Sequence, residues 1–166
     1  MKFLVTVGIA LALLTLESVV VKQAGLVLGR IDVTVVLVAF LALRATLLEG
    51  AFSAFAVGYL LDLMSGQPTG LFTFLAVFTF LVGRLVSTFV DVRGALPFAL
   101  FAVGADVGHG LLAAFFTWLT VKDGGTGPVL AGLPVQVALT GAAALLLFPL
   151  LRRFESAQER PAGLLR

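Results

Sequence analysis

Charge is what this chain has least of: 12% of its 166 residues are Asp, Glu, Lys or Arg, against about 25% in ordinary soluble domains. So few charges cannot cover a water-facing surface, which excludes a soluble globular fold of this size. Cysteine is absent, which removes disulfides and thiolate metal sites but leaves the compartment open. With one histidine and no cysteine, no recognisable zinc constellation can form. No serine sits in a Gly-x-Ser-x-Gly elbow, so that hydrolase chemistry is missing too. The net charge of +2 is small, and the basic residues fall at segment ends without a stripe or interleaved aromatics. Nucleic acid is therefore not an expected partner.

What remains is apolar. Hydrophobic residues make up 60% of the chain and the mean hydropathy is +1.14, so lipid must do the solvating and the class is an all-α integral membrane protein. Apolar runs bounded by charge, Gly or Pro give six predicted spans: 3–21, 31–48, 50–64, 69–90, 95–121 and 128–151. The third is short and either starts earlier, through 45–49, or is surrounded by protein. Residues 1–151 then form one six-helix transmembrane domain, and 152–166 a short polar cytoplasmic tail. The first run is too long for a cleaved h-region, and Lys22 occupies a position where a cleavage site needs a small residue, so it reads as a retained span. Pro134 and Pro149 are expected to bend or interrupt the sixth span.

Six spans put both termini on one side. That side holds Lys2, Arg44, Arg84, Arg93, Arg152, Arg153, Arg160 and Arg166, against Lys22, Arg30 and Lys122 on the other. The excess predicts cytoplasmic termini, with Tyr59 and Trp118 near the outer interface.

Small residues recur at four-residue spacing, which aligns them on one helix face. Gly50, Ala54, Gly58 and Asp62 do so in span three, and Ala102, Asp106, Gly110 and Ala114 in span five. Gly104-x-x-x-Gly108 and Gly8-x-x-x-Ala12 supply further small faces. Such faces either pack the protein's own bundle or receive a partner's helix. Phe72, Phe74, Phe78 and Phe80 in span four read as core or lipid-facing residues, with a docking face as the alternative.

Two acids stand out. Asp106 falls ~16 Å into span five at ~1.5 Å per residue, near the bilayer midplane, where it must be protonated, paired or facing water. His109, three residues on, is its nearest partner in sequence. A hydrogen-bonded clip between helices is the structural reading and proton or ion translocation the functional one, although no second acid is obviously placed beside it. Asp62 closes span three before the turn Ser65-Gly66-Gln67-Pro68-Thr69-Gly70. Gly66 and Gly70 permit backbone angles that other residues resist, and Pro68 stiffens the turn. Asp62 is expected to cap amides at the turn, accept a bond from Ser65, or pair with a basic group. Intramembrane aspartyl proteolysis does not fit, because Tyr-Asp and Gly-x-Gly-Asp motifs are missing.

The junction G58-Y-L-L-D-L-M-S-G-Q-P-T-G70 resembles the MreD family, rod-shape-determining proteins of the bacterial inner membrane, whose members read like G-x-x-L-D-L-x-S-G-x-x-x-G. Asp62, Ser65, Gly66 and Gly70 fall on that motif. The stretch R30-I-D-V-T-V-V-L looks like the family's R-P-[DN]-aliphatic opening of span two, departing from it at Ile31, where Pro is usual. A102-V-G-A-D-V-G-H109 is similar to the family's Asp-bearing fifth helix, and L150-L-R-R153 to its basic exit. The resemblance implies a non-enzymatic scaffold without cofactor, acting with MreC, the cytoskeletal MreB, RodA and penicillin-binding protein 2 in peptidoglycan synthesis and rod cell shape. It also implies a six-helix fold similar to the S-components of energy-coupling-factor transporters. The alternative function is therefore a vitamin-binding transporter subunit, which would need an outward polar pocket.

Overall fold

A computed structural model of the chain describes residues 7–16, 32–64, 70–120 and 127–159. All regular structure among them is helical. The helices are α1 (Val7–Leu16), α2 (Val33–Arg44), α3 (Leu47–Met64), α4 (Leu71–Ser87), α5 (Ala95–Thr120) and α6 (Gly127–Glu159). Three segments are long and apolar enough to cross a bilayer: Leu47–Met64, Ala95–Phe116 and Gly132–Arg153. The six helices match the predicted spans in number and order, and the apolar composition is that of a membrane protein.

Two antiparallel pairs organise the bundle. In the first, Gly58 meets the backbone of α4 at Thr73 Cα and Phe72 O, where an added Cβ would lie 2.6 and 2.7 Å away. Two turns earlier, the Phe80 ring rests directly on Gly50. In the second pair, a Cβ on Gly110 would lie 2.5 Å from Leu133, and one on Gly141 3.0 Å from Val103. The rings of Phe98 and Phe148 pack tilted by 31°, with centroids 5.1 Å apart, near the far end of that pair. Hydrophobic burial gives little reason for helices to associate in lipid, so close backbone approach at small residues is how dispersion contacts accumulate. Both predicted four-residue faces are accordingly inside: Gly50, Ala54, Gly58 and Asp62 are buried, as are Ala102, Asp106, Gly110 and Ala114.

The helix α2 lies between the pairs, and its residues from Val33 to Ala42 are all buried. Val36, Leu37, Ala39 and Phe40 join Val57, Phe98, Ala102, Ala144 and Phe148 in one core cluster, to which α1 adds Ala10. At 12 residues it is ~18 Å long, well short of a ~30 Å hydrocarbon core. The expected span 31–48 therefore ends early: the chain turns at Ala45 and Thr46, and α3 begins at Leu47, the earlier start that was one of the two readings of the third span.

The helix α6 is continuous through Pro134 and Pro149, so the expected interruption does not occur. Each proline removes the donor for the carbonyl four residues earlier and crowds that carbonyl, yet the helix resumes on either side of both. It also continues past Leu151 to Glu159, so the predicted polar tail begins as helix.

Candidate functional site

Asp62 is 1% exposed and locks the α3–α4 pair. Its Oδ1 accepts from the Phe72 amide at 3.2 Å, and its Oδ2 from the Thr73 amide at 2.9 Å and the Thr73 hydroxyl at 2.5 Å. These are amides of the first turn of α4, which have no intrahelical acceptor. Gly70, in the N-cap position of that helix, has no side chain to satisfy them and adopts φ +74°, a left-handed conformation that a glycine takes without strain. A carboxylate from the neighbouring helix replaces the local cap. Of the roles expected for Asp62, capping is the one displayed. Ser65, Gly66 and Pro68 lie outside the described residues.

Both ends of α2 are likewise closed by charge of the sign its dipole favours. At the N-terminus Asp32 accepts from the Val35 amide through Oδ1 at 3.0 Å. At the other end Arg84 of α4 donates to the Ala42 carbonyl at 3.2 Å. Because α2 is short, its N-terminus falls inside the bundle rather than at its edge, and a polar cluster gathers there. The Asp32 amide donates to the Thr140 hydroxyl at 3.3 Å, Asp32 Oδ2 lies 3.9 Å from His109 Nε2, and His109 Nδ1 shares a 3.1 Å hydrogen bond with Thr79. Asp106, fully buried, accepts from Gln136 at 2.9 Å through Oδ1. Its Oδ2 has no hydrogen-bond partner within ordinary reach, although Thr140 is close enough to interact favourably.

Two expectations are corrected by this cluster. His109 is not the hydrogen-bond partner of Asp106: residues three apart on α5 point to different neighbours, His109 to α4 and the head of α2, Asp106 to α6. A second acid does stand in the same cluster: the Asp32 amide bonds Thr140, one turn of α6 from the Gln136 that holds Asp106, and His109 lies 3.9 Å from Asp32. Asp32, Thr79, Gln136 and Thr140 carry the cluster beside the predicted pair. The Asp32-Val-Thr start of an apolar run is a helix N-cap signal, but nothing in the sequence places that cap at the depth of Asp106.

The small faces divide. Unlike the buried ones, Gly104 and Gly108 are exposed and a Cβ on either would meet nothing within 4 Å; the same holds for Gly8, whose neighbour on that face, Ala12, is exposed. Internal packing, the structural reading of these stripes, therefore fails for Gly104, Gly108 and Gly8. Gly104 and Gly108 instead floor an open apolar groove of about 570 Å³ between α4 and α5. Phe78, Val82, Val86 and Leu100 form its walls, and Thr79 with His109 closes one end. The phenylalanines of α4 split likewise: Phe80 is core, whereas Phe74 and Phe78 are 49% and 42% exposed. No family model, curated protein or solved structure matches the chain.

Proposed function

We propose that the chain is a non-enzymatic membrane scaffold of the MreD type, in the bacterial inner membrane with both termini cytoplasmic. Its six-helix bundle is taken as similar to the S-component fold. It holds the membrane helix of MreC and so helps organise RodA and penicillin-binding protein 2, with MreB reached from the cytoplasmic side. One observation carries the proposal: the open groove floored by Gly104 and Gly108. Two exposed glycines inside a helix cost it roughly 1 kcal/mol each relative to Ala, and a Cβ on either would meet no described residue within 4 Å. A partner helix packed on them would recover that cost through close backbone approach.

The intramembrane polar groups fit a scaffold better than a vitamin carrier. Asp62 is consumed in capping α4, and Asp106 is fully buried against Gln136 and does not line the groove between α4 and α5. Arg44 and Arg84 lie in the last turns of α2 and α4, Arg93 just before α5, and Arg152 and Arg153 in the last third of α6, a placement on one side of the bundle that supports cytoplasmic termini.

The experiment is to substitute Gly108 by Leu and co-purify with MreC. The variant should fold and melt as the parent does, because nothing occupies the space its side chain enters, and should lose most captured MreC. Undiminished capture by a folded Gly108→Leu protein would refute docking in this groove.

A further inference from the structure

The groove between α4 and α5 is apolar except at one end. Among the described residues that line it, Thr79 and His109 alone carry polar side chains, and both are more than nine-tenths buried. They hold each other through the 3.1 Å bond between Thr79 Oγ1 and His109 Nδ1. That bond does not exhaust them. A hydroxyl has one proton and two lone pairs, and an imidazole has two ring nitrogens. The second nitrogen, Nε2, stands 3.9 Å from Asp32 Oδ2, beyond the reach of a hydrogen bond. Counted from Ala95, His109 lies ~21 Å along α5, a depth at which lipid supplies no hydrogen-bonding partner.

This sets a demand on whatever covers the groove. A wholly apolar helix laid over Gly104 and Gly108 would seal the leftover capacity in hydrocarbon, at the cost that any unpaired buried polar group carries. A carboxylate on the covering helix would be repelled by Asp32, and a cation would have to be stripped of water to reach this depth. A hydroxyl or carboxamide meets the demand, because it both donates and accepts and so suits either tautomer of His109. We infer that the partner helix carries one such side chain, about one turn from the small residue that packs on Gly104 and Gly108, and that it bonds to the Thr79–His109 pair. Residues three or four apart share a helix face, so packing and anchoring fall on the same side of that helix. The inference rests on the reading of the groove as a docking site and adds the chemistry of its occupant.

The test uses the full chain in nanodiscs and lysine-flanked Leu/Ala transmembrane peptides with two alanines four residues apart as the packing face. In successive peptides a single Asn replaces Leu at each position of the next two turns. Energy transfer from labelled protein to labelled peptide reads binding, at peptide densities where the peptides do not associate with one another. The parent should bind every peptide, and those with Asn on one helix face roughly threefold to tenfold more tightly than the all-apolar peptide, the range that one interhelical hydrogen bond gives in lipid. Thr79→Val should abolish this gain with a melt near the parent's, and Thr79→Ser, which keeps the hydroxyl, should retain it. Gly108→Leu should block all the peptides. Binding that survives Gly108→Leu, or a parent that binds no peptide, overturns the groove as a docking site and the anchor with it. Binding blocked by Gly108→Leu with no Asn position gaining, or a gain unchanged in Thr79→Val, overturns the anchor and leaves the groove standing.

Discussion

Replacing Asp62 by Ala leaves three donors without their acceptor: the amides of Phe72 and Thr73, and the Thr73 hydroxyl. The hydroxyl can rotate and recover a partner, but the amides are fixed by the helix. The bond from the Thr73 amide is buried and the one from Phe72 is partly buried. An orphaned buried donor costs about 1–3 kcal/mol, and loss of an N-cap alone costs about 0.5–2 kcal/mol. The sum for Asp62→Ala is about 2–4 kcal/mol, or a fall of roughly 5–15 °C in Tm for a chain of this size. Asp62→Asn should fall between Ala and the parent. Its carbonyl, in the place of Oδ2, can still accept from the Thr73 amide and hydroxyl, but an NH₂ in the place of Oδ1 faces the Phe72 amide, whose bond is lost. Thermal melting in one detergent, with size-exclusion profiles before and after, reads all three proteins. Adding Thr73→Val gives a double-mutant cycle in which coupling to Asp62 should be about 1 kcal/mol or more. An Asp62→Ala protein that melts within 1 °C of the parent would refute the capping account.

Gly58→Ala should cost about 3 kcal/mol or more, at the top of the overpacking range, because the new methyl meets backbone of α4 at Thr73 and Phe72 rather than a movable side chain; an unchanged Tm would show that the close approach is absent. Asp106→Asn should be neutral or mildly stabilising, since it puts no ionisable group in this buried position, its NH₂ can donate to the nearby Thr140 hydroxyl and its carbonyl still accepts from Gln136. Asp106→Leu should lose about 1–3 kcal/mol, the cost of stranding the Gln136 amide, and a melt in which Asn and Leu behave alike would sink that account. Arg84→Gln should lower stability by about 1 kcal/mol through the uncapped α2 carbonyl; a loss as large as that of Asp62→Ala would mean that Arg84 carries more than a cap.

Periodicity was legible where one side of a helix is buried. The spacing of Gly50, Ala54, Gly58 and Asp62 identified a face that the structure encloses against α4, and the spacing of Ala102 to Ala114 did the same for α5. The same rule could not say which small faces stay open. Gly104 and Gly108 obey it as well as Gly58 does, yet no neighbour reaches them, because that depends on how far α4 and α5 diverge. The buried polar partners were illegible for a related reason. Asp62 finds Thr73 eleven residues away and Asp106 finds Gln136 thirty away, so sequence proximity pointed to His109 instead. The shortness of α2 was hidden too, since the hydrophobic run continues through the turn that ends it.

Polar closure, more than apolar burial, gives this bundle its specificity. Lipid solvates a leucine about as well as another helix does, so the apolar residues of α2 do not by themselves choose its position. Its ends do. Asp32 and Arg84 fix the two termini of α2 at different depths, and each reaches a different neighbour, α6 through Thr140 and α4 directly. Asp62 sets the register of α3 on α4, and Gln136 that of α6 on α5. With position and register assigned by these few buried bonds, the groove floor at Gly104 and Gly108 is left clear of the other described residues. Substitution there meets no described neighbour, which is the condition a surface must meet before it can be shaped to fit another helix.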